Sequence, residues 1–305
     1  MKLQFIVNPA SKTGRGIEIW REVENVLKGS EVDYEVHYTK KMGHATEITR
    51  KITSEPGEHM LVALGGDGTV NEVVNGIVRI KDTILGYIPT GSGNDLAGGL
   101  KLPTDPMTSM EHILENKAHL PVNVGVVEAD GLKRRFAVSC GLGWDAAIGH
   151  EVAVSKLKKL LNKVKLGKLC YVGIALKQII AFQTSPVEVT IDGKEPMKFS
   201  KNFFNAVMNS PYEGGRIMMC PKASLSDDLL DICVVDNVSK LKLLLVLPLA
   251  YKGLHKYFKG VHIKRGARIH IKAQKPLPLH ADGENLGYHK EATMYLEKER
   301  LRVIG

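Results

Sequence analysis

The sequence predicts an α/β domain on a parallel sheet followed by a β-rich, sandwich-like domain, and two observations carry that expectation. From residue 1 to about 120, apolar segments alternate between strand-like and helix-like periods, the order that a parallel sheet covered by helices leaves in a sequence. Beyond Pro121 the text changes to short β-branched runs divided by turns such as Asp192-Gly193, the pattern of an antiparallel sandwich or barrel. The boundary is therefore set near residue 121, and 305 residues suit two domains of ordinary size.

Residues 3–7 read as the first strand, followed by a helix with Ile19, Val23, Val26 and Leu27 on one face and a strand at 34–39. A short helix around Ile48 and Ile52 precedes a buried strand at 60–64. Val70, Val73, Val74 and Ile77 then fall at i, i+3, i+4 and i+7, the stripe of an amphipathic helix, and a strand follows at 84–88. In the second half, strands are expected at 122–127, 135–139, 187–191, 203–208, 230–235 and 268–272, with helical stretches at 155–182 and 239–259. The last strand, about 301–304, is a candidate for return to the first domain.

Hydrophobic residues make up 44% and charged residues 25%, a soluble balance, and no apolar run approaches the roughly 18 residues of a spanning helix. The start, Met1 to Pro9, enters a strand without a signal peptide's apolar region, so a cytoplasmic protein is expected. Cys140, Cys170, Cys220 and Cys233 are far apart and form neither a C-x-x-C pair nor a zinc spacing, which favours reduced, buried thiols. A net charge of +9 and a pI near 9.2 call for an anionic partner: nucleic acid, an acidic membrane surface or a phosphorylated ligand. With only 6% aromatics, and none interleaved with basic residues, nucleic acid is not the expected partner. The basic amphipathic stretch Lys156 to Lys168 and the apolar stretch Leu241 to Ala250 each suit either a bilayer interface or packing under the β half.

Parallel sheets bind ligands at the C-terminal ends of their strands, and three Gly- or Asn-rich turns stand there, at 8–16, 65–68 and 89–95. Gly65-Gly66-Asp67-Gly68 joins a strand to a helix whose first N–H groups are free, so its glycines allow a phosphate to approach the backbone. A carboxylate beside polyphosphate implies a divalent cation between them or a ribose hydroxyl, so Asp67 points to magnesium. The turn from Gly91 to Asp95 places a second acid at a second helix start, where Asn94 or Asp95 would also serve as a plain N-cap. No Walker A loop occurs. Asp282-Gly283-Glu284 reads by position as a hairpin turn or as a general base at a loop tip. The acids of 225–231 offer either a hard-cation site or a solvated turn. Gly141-Leu142-Gly143-Trp144-Asp145-Ala146 fits G-x-G-x-x-A, but the acid a dinucleotide site needs about 20 residues further on is missing, and the match is set aside.

Taken in order, G-G-D-G-T-x-N-E from Gly65, P-x-G-S-x-N-D from Pro89 and D-G-E from Asp282 resemble the diacylglycerol kinase catalytic-domain family, in particular its soluble bacterial lipid kinases. These are similar to sphingosine kinases and more distantly to NAD kinases. The resemblance runs from Phe5 to about Glu284. It implies a Rossmann-like ATP-binding catalytic domain over 1–121 and a lipid-substrate domain over 122–305. ATP would be met by Asn8, Thr39, Gly66, Asp67, Gly68, Thr69, Val70, Asn71, Glu72 and Ser92, where family members usually carry threonine for Ser92. Asp67 and Asp95 would join a network of acids, water and Mg2+. Asp228 with the carbonyls of Leu225 and Leu230 would hold a structural Mg2+, although the family often has glycine where Leu229 stands. Asp282 is implied as the base, with Glu284 supporting or sharing that role. The resemblance thus implies ATP- and Mg2+-dependent phosphorylation of a lipid alcohol, diacylglycerol first among acceptors, by a peripheral enzyme at the anionic inner membrane face, with a homodimer open. An NAD kinase and a non-catalytic lipid or nucleotide sensor are the rival readings.

Overall fold

The computed structural model describes residues 2–116, 118–147, 177 and 179–305. The first half runs β1 (Leu3–Val7), α1 (Ser11–Gly14), α2 (Gly16–Lys28), β2 (Tyr34–Tyr38), α3 (His44–Ser54), β3 (His59–Gly65), α4 (Asp67–Gly76), β4 (Thr83–Pro89), α5 (Asp95–Leu100), α6 (Pro106–Glu115) and β5 (His119–Val122). β1 pairs in parallel with β2 and β3, and β3 with β4. All seven residues of β4 are buried, as a strand covered on both faces by helices must be, whereas β2 stays half-exposed at the sheet edge. One face packs Ile19, Trp20, Val23 and Leu27 of α2 against Phe5, whose ring centroid lies 5.0 Å from that of Trp20. The other face packs Val70, Val73, Val74 and Ile77 of α4, the stripe read from the sequence, against Leu61 and Leu85.

The second half contains β6 (Gly125–Ala129), β7 (Leu132–Phe136), β8 (Ser139–Gly143), β9 (Ser185–Ile191), β10 (Met197–Met208), β11 (Leu230–Asp236), α7 (Lys240–Val246), β12 (Val261–Gly266), β13 (Arg268–Ala281), β14 (Glu284–Leu296) and β15 (Leu301–Ile304). Nine of these strands make one antiparallel sheet in the order β12-β11-β10-β8-β13-β14-β6-β7, with β9 bridging β10 and β13. Val127, Leu142, Val189, Val207, Ile232 and Ile271 meet in one core, so strands from both ends of this order wrap the same interior. The last strand, β15, lies in the first sheet, parallel to β4 and antiparallel to β5. This makes the first sheet six-stranded, in the order β2-β1-β3-β4-β15-β5.

The α/β-then-β-rich order agrees with the sequence reading, and several element bounds differ for local reasons. The run 122–127 is broken at Asn123 and Val124, where the chain leaves one sheet for the other and Asn123 N–H donates to the Leu225 carbonyl at 2.6 Å. The run 135–139 is broken at Ala137 and Val138, whose N–H groups turn to a side chain. Residues 239–259 are not one helix: α7 passes into two short 3-10 turns, Leu247–Lys252 and Leu254–Tyr257, because Pro248 lacks a donor and Gly253 is left-handed at φ 65°. Among the described residues no helix is long and apolar enough to cross a membrane. Cys140, Cys220 and Cys233 are free and buried, while Cys170 and the basic stretch Lys156 to Lys168 lie outside the described residues.

Candidate active site

The three turns at the strand ends converge. Asn8 follows β1 and donates from Nδ2 to Thr69 Oγ1 at 2.9 Å, while Thr90 Oγ1 donates to Ser11 Oγ at 2.8 Å. Gly66 and Gly91 bring the β3 and β4 turns into contact: a Cβ on Gly91 would stand 2.8 Å from Gly66 Cα. Gly68, by contrast, faces open space, with nothing within 4 Å of a Cβ placed there. That opening borders the first turn of α4, where Thr69 and Val70 N–H donate to the Gly66 carbonyl and those of Asp67 and Gly68 have no intrahelical acceptor, so it fits an anionic phosphate. Thr39 N–H donates to the Val7 carbonyl at the end of β2, and Ser92 is exposed on the β4 turn.

Asp67 and Asp95 carry the connection into the second half. Asp67 Oδ2 and Oδ1 accept the N–H groups of Asn94 and Asp95, each at 2.8 Å. Asp95 Oδ2 and Oδ1 in turn accept those of Gly215 at 3.0 Å and Arg216 at 2.8 Å. Burial, followed by the charge of Asp95, pushes Asp67 up to about 6. Each acid therefore fixes a loop of the next element.

Asp282 and Gly283 form the tip of the β13–β14 hairpin, both left-handed at φ 48° and 79°. The D-G-E turn is thus a hairpin turn, and its aspartate is drawn into the crevice between the two halves. Asp282 Oδ2 accepts Asn71 Nδ2 at 2.8 Å and Ala137 N–H at 2.7 Å, and Oδ1 accepts Val138 and Ser139 N–H at 2.9 Å each. Burial pushes the Asp282 carboxyl upward while those four donors pull the other way. Asn71, itself buried, thereby ties the glycine-turn helix α4 to a hairpin 211 residues away. Glu284 points elsewhere and pairs with Arg134, whose Nε lies 3.1 Å from Oε2.

Beside Asp282 lies a group that sequence reading missed. His280 Nε2 is 3.3 Å from Asp145 Oδ2 and 3.4 Å from Glu213 Oε1, and Ser139 Oγ donates to that same Glu213 oxygen at 2.8 Å. Asp145 Oδ1 and Glu213 Oε2 are buried without a partner. Burial, opposed by His280 and helped by Asp145, holds Glu213 up at about 7. For His280 burial acts downward, but the hydrogen bond and charge of Asp145 and the charge of Glu213 push the ring up to about 9. Gly283 N–H nevertheless donates to Nδ1 at 3.1 Å, and a proton on Nδ1 would meet that donor head-on. We therefore assign a neutral ring with its proton on Nε2 and the shared acidic proton near Glu213. With Nε2 protonated, the three side chains, whose ligand atoms lie within 4.8 Å of one another, do not fit a metal ion. A trace of this cluster was legible in the set-aside G-x-G motif: a Cβ on Gly141 would stand 1.9 Å from Asp145 Oδ2 and 2.3 Å from His280 Nε2, so only glycine leaves them room.

Several residues implied by the resemblance are engaged away from the crevice. Val70 is buried in the α4 core, and its N–H donates to the Gly66 carbonyl, so it contributes packing rather than a phosphate contact. Glu72 caps α3, its two oxygens accepting Gly43 N–H at 2.8 Å and Ala45 N–H at 3.0 Å. Around 225–230, Asp228 is exposed and ion-paired with Arg300, while Asp227 and Asp231 are matched by Arg265. The Leu225 carbonyl takes the Asn123 N–H, and Leu230 sits in the β11–β12 ladder. Guanidinium groups already balance these acids, so Leu225, Asp228 and Leu230 do not fit a magnesium ion in this arrangement.

A parallel-sheet domain with an open glycine turn at a helix start thus meets an acidic hairpin from a β-rich domain, an arrangement suited to phosphoryl transfer. The family profile described as the diacylglycerol kinase catalytic domain matches residues 2–127, and that described as the YegS C-terminal NAD kinase beta sandwich-like domain matches 139–304. The chain belongs to the diacylglycerol kinase-like lipid kinase family and is a kinase. It is 27% identical to the diacylglycerol kinase of Bacillus subtilis (strain 168) over 292 residues, which span 93% of this chain and 89% of that one. Its fold is similar to a diacylglycerol kinase crystal structure from Bacillus anthracis str. Sterne, with a TM-score of 0.71 at 22% identity over 99% of this chain and 96% of that one. It is also similar to an NAD kinase from Archaeoglobus fulgidus in complex with ATP, with a TM-score of 0.53 at 12% identity over 100% of this chain and 94% of that one.

Proposed function

We propose that this kinase transfers the γ-phosphoryl group of ATP to the hydroxyl of a lipid alcohol, with diacylglycerol as acceptor and phosphatidate as product, while adsorbed as a peripheral enzyme on an anionic membrane surface. The observation that carries this reading is the Asn71–Asp282 hydrogen bond, which sets the acidic hairpin of the β-rich domain against the first turns of the phosphate-binding helix. Phosphoryl transfer needs little covalent chemistry from a protein beyond positioning of both partners and stabilisation of charge. The open face at Gly68 and the leading N–H groups of α4 would receive phosphate oxygens, with Asn8 and Thr69 bordering them. Magnesium, arriving with the nucleotide, supplies neutralisation of phosphate charge. Asp67 and Asp95 hold the surrounding turns in register. Asp282 would orient the acceptor hydroxyl and take its proton. Of its four donors only Asn71 is a side chain, hence the one that an entering hydroxyl can displace. Glu213, with a buried unpartnered oxygen and a pKa near neutrality, is suited to exchange a proton beside it.

The test is an ATP phosphotransfer assay across a panel of lipid alcohols in mixed micelles, with NAD present and magnesium varied. Labelled phosphate is expected in the lipid fraction, dependent on the cation. The fold shared with an NAD kinase makes NAD the one rival acceptor worth including, and phosphorylation of NAD with no lipid product would overturn the assignment.

A further inference from the structure

Residues 240–259, the stretch that suited either a bilayer or the β half, do two things at once. Leu243, Val246, Ala250 and His255 are buried against the core beneath β10 and β11. On the opposite side Leu241 is 70% exposed, Leu245 68%, Tyr251 56% and Tyr257 75%, with Leu254 also exposed. Five lysines, Lys240, Lys242, Lys252, Lys256 and Lys259, stand among these side chains, and the segment contains neither aspartate nor glutamate. Among the described residues none of the five has a carboxylate partner, and Lys256 lies over the Tyr257 ring at 5.0 Å.

A segment whose inner stripe is anchored in a core has no folding reason to carry five large apolar side chains outward. Leucine tips and tyrosine rings beside long lysine stems match a headgroup layer, where apolar ends enter the acyl boundary and ammonium groups reach phosphate. Uncompensated positive charge selects an anionic surface. The same segment is bonded to the loop that serves the crevice. Met218 N–H donates to the Ala250 carbonyl at 3.0 Å, and His255 Nε2 lies 2.9 Å from the Met219 carbonyl oxygen. That loop also supplies Glu213 to the buried cluster and the Gly215 and Arg216 N–H groups to Asp95.

We propose that the outward face of α7 and the two 3-10 turns, made by Leu241, Leu245, Tyr251, Leu254 and Tyr257 within their lysines, seats this kinase on an anionic phospholipid bilayer. The inference rests on the lipid-kinase reading for its purpose but not for its test. Full-length protein is floated with vesicles of phosphatidylcholine alone and of phosphatidylcholine with phosphatidylglycerol, as wild type and as a Leu245→Glu, Tyr257→Glu variant. Both positions are exposed, so the variant's melting temperature is expected to match the wild type. Wild type is expected to float with the anionic vesicles, less so at high salt, and the variant to bind them about tenfold or more weakly. Phosphorylation of a short-chain lipid alcohol dispersed in detergent is expected to be equal for both. Undiminished flotation of the variant would overturn the proposal, as would a wild type that fails to float. So would a solution mass showing a wild-type dimer that the variant breaks, since the face would then belong to a second copy. Flotation lost in the variant, together with no lipid product from either protein, would leave the docking face standing and remove the kinase reading instead.

Discussion

Asp282 and Asp228 both sit in left-handed turns of the β-rich half, at φ 48° and 62°, and the donors around them are of opposite kinds. Asp282 is enclosed by three backbone N–H groups, from the β7–β8 connection and the first residue of β8, and by the side-chain amide of Asn71 on α4, all neutral. Asp228 is exposed and meets a single guanidinium, that of Arg300. Fixed dipoles hold a carboxylate in place and leave its charge available to a proton or a hydroxyl, whereas a guanidinium cancels that charge. An acid at a turn is therefore a candidate for chemistry when its partners are neutral and rigid.

The largest effect should come from Asp282→Ala. It would leave Asn71 Nδ2 and the N–H groups of Ala137, Val138 and Ser139 without their acceptor, at a cost on the order of 3 kcal/mol or more, and would remove the assigned base. Phosphotransfer is expected to fall about 10²- to 10⁴-fold, with a lowered melting temperature. Near-wild-type turnover in a folded Asp282→Ala protein would end the assignment. Asn71→Ala separates the two roles, because it removes only the side-chain donor. It should cost about 1–3 kcal/mol and loosen the hairpin from α4 while leaving some turnover, measured by the same two assays.

Glu213 stands between the two aspartates, since one of its oxygens has a donor and the other is buried without one. Asp67, raised from 3.8 to about 6, and Glu213, raised from 4.5 to about 7, both bind a proton more tightly in the folded protein than in the unfolded chain. Their contribution to stability is complete below the unfolded values and is lost as pH rises through 6 to 7. The melting temperature should therefore fall as pH rises from about 4 to about 7. Glu213→Gln, neutral at every pH and still able to accept from Ser139, should flatten the upper part of that fall. An unchanged slope in thermal melts across this range would show that Glu213 is not the titrating group.

The glycine turn was legible because its signals are local: a buried strand, three glycines and a helical stripe within 18 residues of sequence, Met60 to Ile77. Asp282 was legible only as part of an ordered set, since Asp-Gly between strands is also what a tight hairpin requires. Asp145, Glu213 and His280 come from three separate elements, and no spacing in the chain announces their meeting. Their one local mark was Gly141, which looked like half of a dinucleotide motif and is there to leave space for Asp145 and His280. Glu72 shows a second role that spacing does not reveal. It belongs to a motif by position, and its carboxylate also closes the start of α3, a task that depends on a neighbour 29 residues away.

The smallest expected effect tests the comparison from its exposed side. If Asp228 holds a structural cation, Asp228→Ala should lower activity and shift the magnesium concentration needed for turnover. If Arg300 is its only partner, the loss is that of a surface ion pair, below about 1 kcal/mol, and the magnesium dependence should be that of wild type. Arg300→Ala sharpens the distinction. Freeing Asp228 from its guanidinium would improve a cation site but would do nothing for catalysis if none is there. A magnesium titration of phosphotransfer for the three proteins is expected to superimpose. A leftward shift in Arg300→Ala, paired with a rightward shift in Asp228→Ala, would return this turn to the metal-binding residues and show that the guanidinium competes with a cation for the same two oxygens.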